Sequence, residues 1–157
     1  MSDKFYSVEE AKRVLERYCA YQDRCHKEVE EKLRKMRMIP EAIEVILLHL
    51  MEHNFLNEER FAQSFARGKF RIKKWGKQRI TRELKMRDIS AYNIKTALKE
   101  IEEKEYIKTV YEIAEKKNES IKDTDIYKVK QKLFSYLQYR GYEIDLIYQV
   151  INDVTSE

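Results

Sequence analysis

The segment VEEKLRKMRMIPEAIEVIL, Val29 to Leu47, decides the fold because its pattern returns twice further along the chain. Its apolar members Val29, Leu33, Met38, Ile43 and Leu47 reappear 51 residues later as Ile80, Leu84, Ile89, Ile94 and Leu98. A further step of 53 residues gives Leu133, Leu137, Tyr142, Ile147 and Ile151. In each copy the first two and the last two members lie four residues apart, which sets both side chains of a pair on one face of a helix. Each copy thus predicts helix, short turn, helix, with these residues facing inward. Repetition at this period marks an array of like units.

A further helix precedes each pair. Ala11, Val14, Leu15 and Tyr18 mark its buried stripe in the first copy, and Ala62, Phe65 and Ala66 fall 51 residues after the first three. The third opening helix, around Val110 to Lys117, aligns less closely because the loop from Asn118 to Asp125 differs in length. Start and stop signals agree with this division. Ser7 and Glu10 form a capping box, Pro40 suits a first helical position, and Asn57 precedes two acids that favour a helix start. Ser90 can cap the sixth helix and Gly141 can end the eighth. The expected fold is all-α: three tandem three-helix repeats, 1–56, 57–105 and 106–157, forming an elongated, curved, right-handed-type helical array. The structural alternative is a compact nine-helix globule.

Composition supports helices. Three Gly and one Pro in 157 residues leave little from which to build hairpins or Gly-rich phosphate loops. Hydrophobic residues make up 43% and charged residues 38%, the mix of long, highly charged helices. Cys19 and Cys25 are too few for a disulfide framework, and no signal peptide or apolar run of membrane-spanning length is found. The expectation is a cytoplasmic protein with reduced thiols and no membrane partner.

Charge is unevenly placed. From Arg60 to Arg87 eleven Lys and Arg face one acid, Glu83, a net +10, while the remainder of the chain carries −6. The candidate partner-binding residues are Arg67, Lys69, Arg71, Lys73, Lys74, Lys77, Arg79, Arg82, Lys85 and Arg87. Arg67, Arg71 and Lys74 follow i, i+4, i+7 and predict one stripe on the fourth helix, with Phe61, Phe65 and Ile72 on another face. A solvated charged face is the plain reading of most charge runs. Confinement of the excess to one unit favours an anionic partner instead. Trp75-Gly76 reads as a helix joint ahead of a base-stacking platform. Tyr136, Tyr139, Tyr142 and Tyr148 are candidates for a contact surface.

Catalytic and metal-binding patterns are weak. His49 and His53 stand at i, i+4 without a third ligand, and Cys19, Cys25 and His26 lack a second cluster at zinc-finger spacing. The carboxylates fall beside Lys or Arg at helical spacings and read as surface pairs. There is no P-loop and no dinucleotide fingerprint. Neither an enzyme nor a cofactor is expected.

The order Phe55-Leu56-Asn57-Glu58-Glu59-Arg60-Phe61-Ala62, Phe65-Ala66, Trp75-Gly76, Arg79-Ile80 and Glu83-Leu84 resembles the core signature of the RecX family. The three-unit layout resembles it as well. Arg37 and Ile39 depart from it, standing where a Gly and a small polar cap are typical, and Cys25 stands where a Ser-like cap is common. The resemblance implies a monomeric negative regulator that lies in the groove of the RecA nucleoprotein filament and bridges its protomers. It further implies damped filament extension, ATP hydrolysis, strand exchange and repressor-cleavage stimulation. Direct binding of single- or double-stranded DNA through the basic middle unit is the alternative, and a structural adaptor is a third possibility.

Overall fold

The computed structural model describes residues 4–156, and among them every regular element is helical. The elements are α1 (Val8–Tyr21), α2 (His26–Lys35), α3 (Pro40–Glu52), α4 (Glu58–Lys73), α5 (Lys77–Met86), α6 (Ala91–Leu98), α7 (Glu103–Ser120), α8 (Ile126–Arg140) and α9 (Ile144–Thr155). The densest packing falls within α1–α3, α4–α6 and α7–α9.

The helix ends follow from side-chain chemistry. Ser7 Oγ accepts from Glu10 N–H at 3.1 Å while the Glu10 carboxylate accepts from Ser7 N–H at 3.0 Å, so two otherwise orphaned amides are satisfied. Pro40 opens α3, where a missing N–H costs nothing. Asn57 and Ser90 cap α4 and α6 by accepting from Arg60 and Asn93 N–H, at 2.9 and 3.1 Å. Arg37, Asp88 and Gly141 fall at the same place in the repeat, and all three have positive φ, 63°, 58° and 100°. The turn geometry is therefore a property of the repeat, and the first two copies hold it with a non-glycine at about 1 kcal/mol each.

The inner faces contain the repeated apolar set. Val29, Leu33, Ile80, Leu84, Leu133 and Leu137 are fully buried. Equally deep are Ile46, Ala97 and Val150, each one position before the last repeat member, of which Leu47 and Leu98 are only partly covered. On α4 the buried stripe is Ala62, Ala66 and Phe70 beside Phe61. Ile72, expected on one face with Phe61 and Phe65, is instead 78% exposed: a four-residue step from Ala66 reaches Phe70, and Ile72 lies about 200° further round the helix.

Apolar contacts form two clusters. One holds the first trio, from Ala11 to Leu56. The other runs without a break through the second and third trios and includes Cys25 at the start of α2. Backbone contact explains the fusion of the last two. Gly76 N–H donates to the Arg140 carbonyl at 2.7 Å, and Gln78 N–H donates to the Gly141 carbonyl at 2.9 Å. The first amides of α5 thus meet the last carbonyls of α8. A Cβ on Gly76 would lie 2.3 Å from the Gly141 oxygen, so only glycine permits the approach. Tyr142 hydroxyl donates to the Lys74 carbonyl and Arg140 to the Lys73 carbonyl, both at 2.8 Å, capping the C-terminal end of α4.

The joint between the first and second trios is polar. Asp23 accepts from Arg60 Nε and from Ser64 Oγ, each at 2.8 Å. Arg60 also donates to the Asn54 side chain and to the carbonyls of Asn54 and Phe55. Burial alone would raise the Asp23 pKa, but the hydrogen bonds from Arg60 and Ser64, with the Arg60 charge, outweigh it and hold the carboxyl below its usual range.

Candidate interaction surface

Ten cations were expected on one basic face, and the structure sorts them into three groups. Arg67, Lys77 and Arg87 are paired: Arg67 with Glu100 at 2.6 Å, Lys77 with Glu103 at 3.2 Å, and Arg87 with Glu83 at 3.2 Å. Lys69 and Arg79 lie over aromatic rings. Arg71, Lys73, Lys74, Arg82 and Lys85 are exposed and have no acidic partner within 4.0 Å among the described residues. The expected Arg67–Arg71–Lys74 stripe is broken at both ends. Glu100 neutralises Arg67, and Lys74 lies past the helix in a left-handed cap with φ 59°.

The aromatic contacts form a ladder from α4 across α5 to α8. Arg87 lies over Phe65 at 4.9 Å, and Lys69 lies over both Phe65 and Trp75, at 5.4 and 5.0 Å. Arg79 sits between Trp75 at 4.2 Å and Tyr139 at 4.8 Å. Each step pairs a cation with the electron-rich face of a ring. Trp75 is half-buried and meets Phe65 edge-on at 6.3 Å, which places it at the helix joint, while Tyr139 is 73% exposed. Beside the ladder, a groove of about 700 Å³ separates α5 from α8; its lining includes Gln78, Arg79, Arg82, Gln138 and Tyr139.

Two further findings concern α8. Among the four tyrosines proposed as a contact surface, Tyr142 is buried and belongs to the core, where burial raises its pKa. It stacks on Tyr106, whose hydroxyl accepts from Lys77 N–H at 2.9 Å and donates to Glu143. Burial, then the bond to Glu143, push the Tyr106 phenol well above its usual range. The second finding is a cationic surface that sequence reasoning missed. Helix α8 carries Lys128, Lys130, Lys132 and Arg140 with no acid between Ile126 and Arg140. A local count would have shown it, but the net −6 outside the middle unit concealed it.

The signature residues occupy structural positions. Phe55 and Leu56 pack on the first cluster, Arg60 clasps the first joint, and Phe61, Ala62, Ile80 and Leu84 lie in the second cluster. Cys25 caps α2, with the Glu28 carboxylate accepting from its N–H at 3.1 Å. His49 and His53 rings are 4.4 Å apart, and His49 Nε2 meets Glu16 at 2.7 Å. No group of three or more metal-ligating side chains is assembled among the described residues. No described helix is long and apolar enough to cross a membrane.

Fold and surface define a class: an all-α helical-repeat protein with a cationic, aromatic-lined interaction face. Comparison with known proteins narrows it. Residues 57–98 match the second three-helix domain of RecX and residues 103–151 match the third. The chain belongs to the RecX family. It is 30% identical to Regulatory protein RecX of Clostridium beijerinckii over 150 residues, covering 94% of this chain and 68% of that one. Identity to the Clostridium acetobutylicum protein of the same name is 33% over 135 residues, 83% of this chain and 62% of the relative. The Lactobacillus gasseri relative is 29% identical over 140 residues, 89% of this chain and 52% of its own length. The chain therefore spans about half to two thirds of the length of several relatives. The crystal structure of RecX from Lactobacillus salivarius superposes with a TM-score of 0.82 at 23% identity, covering 94% and 96% of the two chains. A second RecX crystal structure gives 0.79 at 20% identity, covering 93% and 73%. At these identities the likeness concerns the fold.

Proposed function

We propose that the chain is a non-catalytic negative regulator of RecA that binds the RecA nucleoprotein filament, bridging protomers in its groove. It acts in the cytoplasm and limits ATP hydrolysis, strand exchange and coprotease activity in homologous recombination, DNA repair and the SOS response. Family membership supports the regulatory part of this reading. The observation that carries the binding part is the exposed set Arg71, Lys73, Lys74, Arg82 and Lys85, held on the middle unit, which backbone contact fuses to the third. Cations on a rigid frame lose little freedom on meeting an acidic or phosphate-lined groove. The test is a titration of RecA's DNA-dependent ATP hydrolysis, which is expected to fall at substoichiometric amounts of this protein. Reversing Arg71, Arg82 and Lys85 to Glu together should weaken inhibition and leave helicity intact. No inhibition at any ratio by the folded protein refutes the reading.

Direct binding to DNA is a second reading, favoured by Arg79 stacked between Trp75 and exposed Tyr139 beside the α5–α8 groove. Aromatic faces next to cations suit an unpaired strand. It predicts affinity for a single-stranded oligonucleotide without RecA, with a log–log salt slope of about −0.7 per neutralised phosphate. No binding at low salt removes it.

A further inference from the structure

The internal repeat supplies its own control, because equivalent positions in the three units can be compared for what they expose. On the outer face of α3, Val45, Leu48 and Met51 are 50%, 49% and 39% exposed and follow one helical stripe. Their equivalents 51 residues on are Thr96, Lys99 and Glu102, and a further 53 residues on they are Gln149, Asn152 and Thr155. Only the first unit places an apolar ridge where the repeat is otherwise polar. Glu41 and Glu44 flank that ridge, and α3 contains no Lys or Arg.

The third unit departs in the opposite sense. Between α8 and α9, Phe134 and Tyr148 stack at 5.3 Å over Ile151, lining a groove of about 270 Å³ edged by Lys130. Phe134 stands where the earlier units have Thr81 and Glu30, and Tyr148 where they have Lys95 and Glu44. The groove is thus apolar and aromatic with a basic rim, on a helix that carries no acid. Tyr148 is 57% exposed, so the aromatic wall is open to a partner.

The geometry points to head-to-tail association of copies of this chain: the acid-flanked α3 ridge of one copy seats in the base-rimmed α8–α9 groove of the next. Polarity and charge both match, an apolar ridge to an apolar groove and Glu41 and Glu44 to Lys130. An amphipathic helix laid in an apolar groove is a recurrent mode of recognition. The fold of a unit does not require apolar exposure where its sister units are polar, so complementary departures in the first and third units point to contact between them. Because the two surfaces differ, the contact is heterologous and leaves a free end on every oligomer, which gives open chains rather than closed dimers. One three-residue ridge in one groove is a small contact beside the roughly 1,200 Å² of a stable interface, so the chain stays single when dilute and associates only when concentrated. The contact needs no other protein, so it stands or fails independently of the RecA reading.

Sedimentation velocity on the whole chain from about 10 to 500 µM tests this. The weight-average mass is expected to rise steadily with concentration, without a plateau at two chains. Leu48→Lys and Tyr148→Glu alter exposed side chains and should each weaken association at least about tenfold. Mixed together, they should form one-to-one dimers and nothing larger, because the first variant retains its groove and the second its ridge. The proposal is overturned by constant mass in the wild-type chain, by normal assembly of either variant, or by a mixture that stays monomeric. Association abolished by Leu48→Lys alone would instead show ridge-to-ridge pairing.

Discussion

Replacing Gly76 with alanine tests the backbone contact that fuses the last two units. Its φ of −79° and ψ of 166° are open to any residue, so the change acts through contact and not through backbone strain. The new Cβ would lie 2.3 Å from the Gly141 oxygen, 2.4 Å from its carbonyl carbon and 2.5 Å from Tyr142 N, all of them backbone atoms. Reaching ordinary contact requires the two helix ends to part by about 1 Å, which removes the hydrogen bonds from Gly76 and Gln78 at about 1 kcal/mol each. The bonds from Tyr142 to Lys74 and from Lys77 to Tyr106 weaken with them, bringing the loss to about 3 kcal/mol. Reduced freedom of the unfolded chain returns up to about 1 kcal/mol. The net is about 2 kcal/mol, or a fall of about 4–8 °C in Tm for a chain of this size. Urea unfolding followed by the single tryptophan, Trp75, and by far-UV circular dichroism provides the assay. Gly76→Ala should lower the midpoint and separate the two signals as the units uncouple. Gly68, inside α4 with nothing within 4 Å of a Cβ, is the control, and its change to alanine should stabilise by about 1 kcal/mol. An unchanged midpoint in Gly76→Ala would refute the argument.

Three more outcomes are expected. Asp23→Asn should cost about 1–2 kcal/mol at neutral pH and raise hydrogen exchange in 54–60, since it loosens the Arg60 clasp. A depressed carboxylate contributes stability above its unfolded pKa of about 4 and loses it as pH falls through its lower folded value, so wild type and variant should converge in urea midpoint as pH drops below about 4. Tyr106→Phe leaves Lys77 N–H and Glu143 without their shared hydroxyl and should lower thermal stability by about 1–2 kcal/mol. Burial pushes the Cys19 thiol up to about 11 and Cys25 up to about 12, so a disulfide probe at pH 8 should react at least about 100-fold more slowly in the native than in the unfolded protein.

Much of the fold was legible because its signals are local. Val29 and Leu33, or Ile80 and Leu84, declare a helix face at a separation of four residues, and their recurrence declares the repeat. Ser7, Asn57 and Ser90 mark helix starts through bonds that span three residues, and Pro40 does so through its fixed φ and missing N–H. The candidate surface was less legible, because whether a cation is available depends on partners distant in sequence. Arg67 is neutralised by Glu100, 33 residues away, and no helical spacing announces that pair. Gly76 and Gly141 each read correctly as a bend or a helix end, but that they touch is a fact of tertiary packing. Averaging concealed α8: its four cations vanish into an acidic remainder unless the helix is counted alone.

The meeting of α5 and α8 also has an electrical consequence. A helix presents a partial positive pole at its first turn and a partial negative pole at its last, and an exposed first turn is a natural seat for an anion. Here the positive pole of α5 rests on the carbonyls that form the negative pole of α8, so the two largely cancel. Whatever draws an anion to the α5–α8 groove must come from side chains, chiefly Arg79 and Arg82. An attraction of that origin can be tuned one residue at a time, and lysine acetylation nearby at Lys85 would weaken it without touching the backbone.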